Sequence, residues 1–288
     1  MNLHISLYDK FKELANSYND DEKIVDELFN LLPPNIKQAN IFKDPLGDRY
    51  LYNFGKPLNI TASSVGCFGG IQNHETKNLY LALKTAKKYL NFTEIKDYNK
   101  KINNINKHQD FLFEMRPLFY LRSDLKTRYE SSNNSSGGKN IDWEIRGKEY
   151  NILFDVKNRI KSTINHLFYI LEMVEKIKAG LAPESIPSPI APDPADLFKS
   201  TFKKFRDRTN NKTLQGVWIA TGIMEDEKKL NEYFKSLDPK KIQFAIVSGW
   251  DKDAYILVKN NSDKQILIDY FNLIETRGFV CLNYHNNK

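Results

Sequence analysis

The sequence predicts a mixed α/β (α+β) fold, with helices flanking a central mixed sheet. In the second half of the chain, segments with helical apolar spacing alternate with short runs rich in β-branched and aromatic residues. One of these runs, residues 152–156, is apolar at every position except Asp155. Such a run is typical of a strand buried on both faces of a sheet.

The composition indicates a globular cytoplasmic protein. The chain has 288 residues, of which 41% are hydrophobic and 27% are charged, enough for one large domain or two ordinary ones. Two cysteines, Cys67 and Cys281, form neither a disulfide framework nor a zinc-binding spacing. The sequence has no signal-peptide core near its start and no apolar window long enough for a transmembrane helix, so we expect no membrane association.

The charge balance favours a polyanionic partner. The formal net charge is +7 at neutral pH, and nucleic acid is the commonest partner of a basic protein. The alternative is that the lysines only keep the surface soluble.

Residues 1–110 are predicted to form a mostly helical N-terminal recognition region. Acidic residues precede an amphipathic segment at residues 20–32, and Pro33 and Pro34 end it. A second helix is predicted at residues 73–90, and residues 95–110 form a polar helix or connector.

Residues 111–288 are predicted to form the α/β core. A helix is expected from Pro117 to about Tyr129, because proline suits the first helical position. The elements predicted after it are a flexible loop at 131–138, two strands at 141–157, a helix at 164–178, a Pro-rich excursion at 181–195, a helix at 195–208, a strand at 214–222, a helix at 225–237, strands at 242–248 and 254–258, a helix at 263–275 and a strand at 278–282.

The two strands at 141–157 carry charges in a place where charges are costly. If Gly147 and Lys148 form a two-residue turn, Asp142 pairs with Leu153 and lies diagonally from Asp155, at roughly 7–8 Å. Lys157 follows Asp155 by two residues and shares its face. Two carboxylates and one ammonium therefore converge at one strand end.

Carboxylates without soft ligands suit Mg²⁺, or Mn²⁺, as a bound ion. Such an ion polarises a phosphate and lowers the pKa of its water, and a nearby lysine stabilises developing negative charge. The pattern therefore favours phosphodiester hydrolysis. The alternative is a structural ion pair at the strand end, either in an unrelated α/β enzyme or in a binding module.

Asp142 followed, after twelve residues, by Asp155-Val156-Lys157 resembles the motif of the PD-(D/E)xK nuclease superfamily, which includes many restriction endonucleases. The resemblance covers mainly residues 110–260 and implies a restriction-endonuclease-like core that uses Mg²⁺. It implies that Asp142 and Asp155 are the two acids and Lys157 the motif lysine. Glu114 resembles the additional helix-borne acid of many members. The chain departs from the commoner motif in having Ile141 before the first acid and an aspartate as the second.

Several assignments stay open from the sequence. Glu144 is predicted to share the face of Asp142, so it is an alternative first acid or a group that supports the site. Glu114 is either a metal ligand or an ion-pair partner for Arg116 or Arg122. Arg159, Lys203, Lys204 and Arg206 either reach a phosphate backbone or are ordinary solvated charges, those of residues 199–208 on the polar side of an amphipathic helix.

The sequence therefore predicts an Mg²⁺-dependent, restriction-type DNA endonuclease. The N-terminal region and the Pro-rich excursion would supply target reading or the contacts of a homodimer. The alternative is a non-catalytic nucleic-acid or protein-binding module on the same fold. The choice between DNA and RNA, the recognition sequence and the cleavage position stay open.

Overall fold

The computed structural model describes residues 4–38, 40–44, 47–51, 75–104, 108–132, 135–158, 176–177, 179–181, 193–220, 227–248, 253–276 and 279–282. The chain divides into two compact units. The first comprises Met1–Leu112 and Lys161–Pro189, and the second comprises Phe113–Ile160 and Ile190–Lys288.

The first unit combines helices with a small antiparallel sheet. Its described helices are α1 (Leu7–Ser17), α2 (Lys23–Leu31), α3 (Pro34–Lys37), α4 (Glu75–Tyr89) and α5 (Phe92–Ile102). Its sheet has the order β1 (His4–Ser6), β2 (Asn40–Asp44), β3 (Gly47–Leu51). The predicted helices at 20–32 and 73–90 correspond to α2 and α4, whereas the sheet adds strands to a region expected to be mostly helical.

The second unit contains a mixed sheet flanked by helices. Its strands are β4 (Lys126–Ser131), β5 (Ile141–Arg146), β6 (Asn151–Asn158), β7 (Thr213–Ala220), β8 (Phe244–Ser248), β9 (Asp253–Val258), β10 (Leu273–Thr276) and β11 (Phe279–Leu282). Its helices are α6 (His108–Glu114), which leads in from the first unit, a 3₁₀ helix (Arg116–Tyr120), α7 (Pro194–Lys204), α8 (Glu227–Ser236) and α9 (Asn261–Tyr270). The mixed α/β class predicted from the sequence is therefore confirmed.

In the described part of the chain this sheet has eight strands, in the order β10-β11-β9-β8-β7-β6-β5-β4. Strands β6, β7 and β8 run parallel to one another, and the outer strands on both sides are antiparallel. All eight residues of β7 are buried. Val217 packs in a core cluster with Phe198 of α7 and Phe234 of α8, while Trp218 meets Phe271 edge-on. Aromatic burial on both faces of the sheet supplies much of the hydrophobic stabilisation.

Two predicted helices are wrong in part, because strand pairing replaces them. The helix expected from Pro117 to Tyr129 is a 3₁₀ turn that ends at Tyr120, and residues from Lys126 onward form β4 against β5. The helix expected at 263–275 ends at Tyr270. Asn272 then adopts a left-handed conformation with φ of 45°, and β10 begins at Leu273.

The hairpin between β5 and β6 has a different register from the predicted one. Glu144 pairs with Leu153 rather than Asn151, so the connection is the four residues 147–150 and not a two-residue turn. A hydrogen bond from the Gly147 amide to the Tyr150 carbonyl closes it at 3.0 Å. A shift of two residues leaves every side chain on its predicted face, because side-chain direction alternates with a period of two.

Helix α7 begins at Pro194 and ends at Lys204, four residues earlier than predicted. The Asp193 side chain accepts the Ala195 amide at 2.9 Å and caps its start. Phe205 leaves the helix because it forms a β-bridge with Ser135. The predicted helix at 164–178 and the Pro-rich excursion at 181–195 lie largely outside the described residues.

None of the helices in the described ranges is long and apolar enough to cross a membrane.

Candidate active site

The β5–β6 hairpin brings Asp142 and Asp155 together. Trp143 pairs with Phe154, and continuing that register by one pair places Asp142 opposite Asp155. The Val156 amide donates a hydrogen bond to Asp142 Oδ2 at 2.8 Å, which fixes the first carboxylate against the second strand. The two acids are thus directly opposite one another, where the sequence predicted a diagonal pair.

Asp155 is fully buried, and each of its carboxylate oxygens has a donor. Lys157 Nζ donates to Oδ2 at 2.9 Å, and the Thr201 hydroxyl donates to the same oxygen at 3.3 Å. Lys204 Nζ donates to Oδ1 at 2.7 Å. A buried carboxylate is tolerated when charged partners and hydrogen bonds replace water, as they do here.

Lys204 connects the two acids. Its ammonium group, besides contacting Asp155, lies 3.3 Å from Asp142 Oδ1. Thr201 and Lys204 are three residues apart on α7, so both side chains reach the same carboxylate from one helix face. The Ser136 amide donates to the Lys204 carbonyl at 2.7 Å, and buried Phe205 follows, so the backbone at the helix end is fixed.

The pair of acids is electrostatically asymmetric. Burial and the neighbouring Asp155 carboxylate raise the pKa of Asp142 to about 6. Burial would also raise the pKa of Asp155, but the ammonium groups of Lys157 and Lys204 outweigh it and lower that pKa. Burial would lower the pKa of the Lys204 ammonium, but the two carboxylates raise it. Asp142 therefore takes up a proton first as the pH falls.

Glu144 does not occupy the position opposite Asp155. Its carboxylate is buried and accepts hydrogen bonds from the Ser131 hydroxyl at 2.7 Å and from Arg146 Nε at 2.8 Å. Of the two acids on β5, Asp142 is the one that contacts Lys204. Asp142 is therefore the β5 acid that lies opposite Asp155, and Glu144 makes its contacts along the hairpin.

Glu114 lies at the end of α6, against β4 and β5. Its carboxylate accepts the Tyr129 hydroxyl at 2.6 Å, and its carbonyl accepts Trp143 Nε1 at 2.6 Å. Within the described ranges, no three His, Cys, Asp or Glu side chains lie close enough together to hold a metal ion. The predicted ligand set of Asp142, Asp155 and Glu114 is therefore not assembled in this structure.

The residues predicted to contact phosphates are placed differently from one another. Lys203 and Arg206 are exposed, at the end of α7 and just after it. Lys204 instead points into the acid pair, and Arg159 lies outside the described residues. Neither Thr201 nor the contact of Lys204 with both acids was predicted from the sequence. The sequence feature that could have indicated them is their three-residue spacing, which places both side chains on one face of a helix. Phe198 and Phe205, at and just beyond that helix, are buried and fix its position.

The donor set suits a hard divalent cation. Two aspartate carboxylates converge without a soft ligand, and the Lys204 ammonium already lies between them as a cation. Asp142 and Asp155 are the residues that would hold such an ion.

No protein-family model matches the chain, no curated protein matches its sequence, and no solved structure matches its fold. Fold and site together define a mixed α/β protein with a paired-aspartate site at the end of a hairpin.

Proposed function

We propose that the protein is an Mg²⁺-dependent endonuclease that hydrolyses DNA phosphodiester bonds, of the restriction type. The observation that carries the proposal is the meeting of Asp142 and Asp155 across the hairpin, with the Lys157 ammonium on Asp155. The arrangement of β5, β6 and parallel β7, flanked by helices, is consistent with a restriction-endonuclease-like core.

The proposal gives a role to each of three charged side chains, those of Asp142, Asp155 and Lys157. Asp142 and Asp155 would hold a magnesium ion, which would polarise the phosphate as a Lewis acid and lower the pKa of a bound water. The Lys157 ammonium, 2.9 Å from Asp155, is placed to stabilise negative charge that develops on the phosphate. Val156 and Thr201 keep the carboxylates oriented through their hydrogen bonds.

The surface charge suits a DNA substrate. Beside Lys204, α7 and the residues after it expose Lys199, Lys203 and Arg206. These cations can neutralise backbone phosphates, which is the sequence-independent part of DNA binding. A cytoplasmic location and a homodimer belong to the same proposal, and light scattering of the purified protein tests the dimer.

Cleavage by point variants is the direct test. Purified protein is incubated with plasmid, genomic DNA and RNA, with and without Mg²⁺. We expect Mg²⁺-dependent cleavage of DNA that Asp155→Asn abolishes and that Lys157→Ala lowers at least about 100-fold. Circular dichroism establishes that both variants are folded.

Two matched variants control for charge. Asp124→Asn removes an exposed carboxylate bound by Arg122, and Lys148→Ala removes an exposed ammonium from the hairpin connection. Both should cleave like the wild type. Undiminished cleavage by folded Asp155→Asn and Lys157→Ala would refute the proposal.

The second candidate is a non-catalytic nucleic-acid or protein-binding module. It is favoured by one specific contact: the Lys204 ammonium already bridges both carboxylates, as in a permanent structural ion cluster. Calorimetry with Mg²⁺ and Mn²⁺ separates the two functions. No heat of metal binding by the wild type, either alone or with a DNA duplex present, would favour the binding module.

A further inference from the structure

We propose that Lys204 is a built-in counter-ion that competes with the divalent metal for Asp142 and Asp155, so that the metal binds tightly only together with a phosphate. The inference rests on the proposed function and assigns to that site a means of coupling metal to substrate. Lys204 and Lys157 therefore have different roles. Lys204 contacts both acids, whereas Lys157 contacts Asp155 and not Asp142.

The position of the ammonium is the first argument. Lys204 Nζ lies 2.7 Å from Asp155 Oδ1 and 3.3 Å from Asp142 Oδ1. Those two oxygens belong to different strands. The other oxygen of Asp142 accepts the Val156 amide, and the other oxygen of Asp155 accepts Lys157 and Thr201. A divalent ion held by both acids would therefore compete with the Lys204 ammonium.

The charge balance is the second argument. Two carboxylates and the ammonium groups of Lys157 and Lys204 sum to zero at neutral pH. A divalent ion added to this neutral cluster would leave two positive charges in a partly buried site, where repulsion is poorly screened. A phosphodiester brings a negative charge, so it stabilises the metal-bound state and gives the displaced ammonium a new partner.

The freedom of the side chain is the third argument. The Lys204 backbone is fixed by the Ser136 amide and by buried Phe205, whereas its side chain is 21% exposed. The four-carbon stem can therefore turn the ammonium outward without a change in α7. Thr201 donates to Oδ2 of Asp155 and Lys204 to Oδ1, so the Thr201 hydrogen bond does not depend on the ammonium.

Removing the ammonium should release the competition. In Lys204→Met the metal-free cluster carries one net negative charge, so divalent ions should bind at least about tenfold more tightly than to wild type. In wild type, a short DNA duplex should increase metal affinity. This coupling should shrink in the variant, because the metal-bound site then carries one positive charge fewer for the phosphate to balance.

Isothermal titration with Mg²⁺ measures these affinities, without and with the duplex, whose integrity is checked on a gel afterwards. Lys203→Met is the matched control, because it removes the neighbouring exposed lysine of the same helix. In the absence of the duplex, Lys203→Met should bind Mg²⁺ with the same affinity as the wild type. Lys204→Arg keeps the charge and should keep the weak metal binding. If Lys204→Met does not fold, Lys204→Gln replaces it, since its amide retains a donor for the carboxylates.

The outcomes separate the two proposals. Tighter metal binding by the neutral Lys204 variants, and not by Lys203→Met, supports the inference. Equal affinities in wild type and the neutral variants overturn it and leave the proposed nuclease intact. An absence of Mg²⁺ binding in every variant overturns both.

Discussion

Asp155 shows how a single carboxylate determines the properties of this site. It has no exposed surface, yet it lies between Lys157, Lys204 and Thr201, which supply the hydrogen bonds that water would otherwise give. Its partner Asp142 has fewer compensating contacts and takes the proton when one is available. The two residues therefore affect stability in opposite directions as the pH changes.

Asp142 should make the metal-free protein more stable as the pH falls from 7 towards 4. Its pKa rises from an ordinary 3.8 to about 6, so in this window the folded state binds a proton that the unfolded chain does not. The stability that it contributes is complete below its unfolded pKa and is lost as the pH rises through 6. Between pH 7 and pH 4, the contribution of Asp142 to the free energy of unfolding should change by on the order of 2 kcal/mol.

Chemical denaturation of wild type and Asp142→Asn in EDTA, at several pH values, measures this effect. The stability of wild type relative to Asp142→Asn should increase as the pH is lowered through the window. Asp155 has the opposite sign, because its pKa is lowered, and its stabilisation is lost only in stronger acid. A constant difference between the two proteins would contradict the assignment.

The sequence was sufficient to find the acids but not the cation between them. Asp142, Asp155 and Lys157 stand out because charged residues interrupt or end apolar strands. Lys204 belongs to a helix with several other lysines, and the direction of its side chain depends on where α7 docks. Docking is a tertiary event that residue spacing alone does not encode.

At the level of elements, the sequence correctly predicted which side chains of β5 and β6 share a face of the sheet. The predicted pairing register of the two strands was wrong. The period of two preserves side-chain direction through an even shift, so the convergence of the two acids was predictable. The four-residue connection was not, because a distant residue stabilises it. The Tyr270 hydroxyl accepts the Tyr150 amide at 3.2 Å and donates to the Tyr150 carbonyl at 2.9 Å.

Tyr270→Phe tests that contact. Removing the hydroxyl takes away both hydrogen bonds to Tyr150 and should lower the free energy of unfolding by about 1–2 kcal/mol. The acids should remain opposite one another, because strand pairing still sets the register. Thermal and chemical unfolding measure the loss, and Tyr120→Phe is the control for removal of a tyrosine hydroxyl. Equal stability of Tyr270→Phe and wild type would show that the two hydrogen bonds between Tyr270 and Tyr150 do not stabilise the fold.

Strand β4 was missed for a similar reason. Lys126, Arg128 and Glu130 alternate with more buried residues, a strand pattern, but Pro117 and the apolar residues after it favoured a helix. Pairing with β5 outweighs that local preference, as tertiary contacts commonly do.

At the scale of the whole molecule, the net charge of +7 should make DNA binding strongly salt-dependent. The double variant Lys203→Ala/Arg206→Ala should bind more weakly and lower the slope of log affinity against log salt by about 2. Fluorescence anisotropy with a labelled duplex, from low to moderate KCl, measures the slope. Lys235→Ala, at an exposed position of α8, should leave the slope unchanged. An unaltered slope in the double variant would remove these two residues from the interface.

The charged residues of β4 also bear on how copies of the protein behave at high concentration. β4 is the last strand of the sheet as described, and a terminal strand can recruit a strand from another molecule. Three charged residues of β4 are exposed: Lys126, Arg128 and Glu130. Charged side chains on a terminal strand oppose amyloid-like stacking, because that stacking needs a contact without water between strands of different molecules. At the opposite border of the described sheet, the apolar side chain of Ile274 in β10 is 47% exposed. Aggregation of this protein should therefore begin at β10 and not at β4.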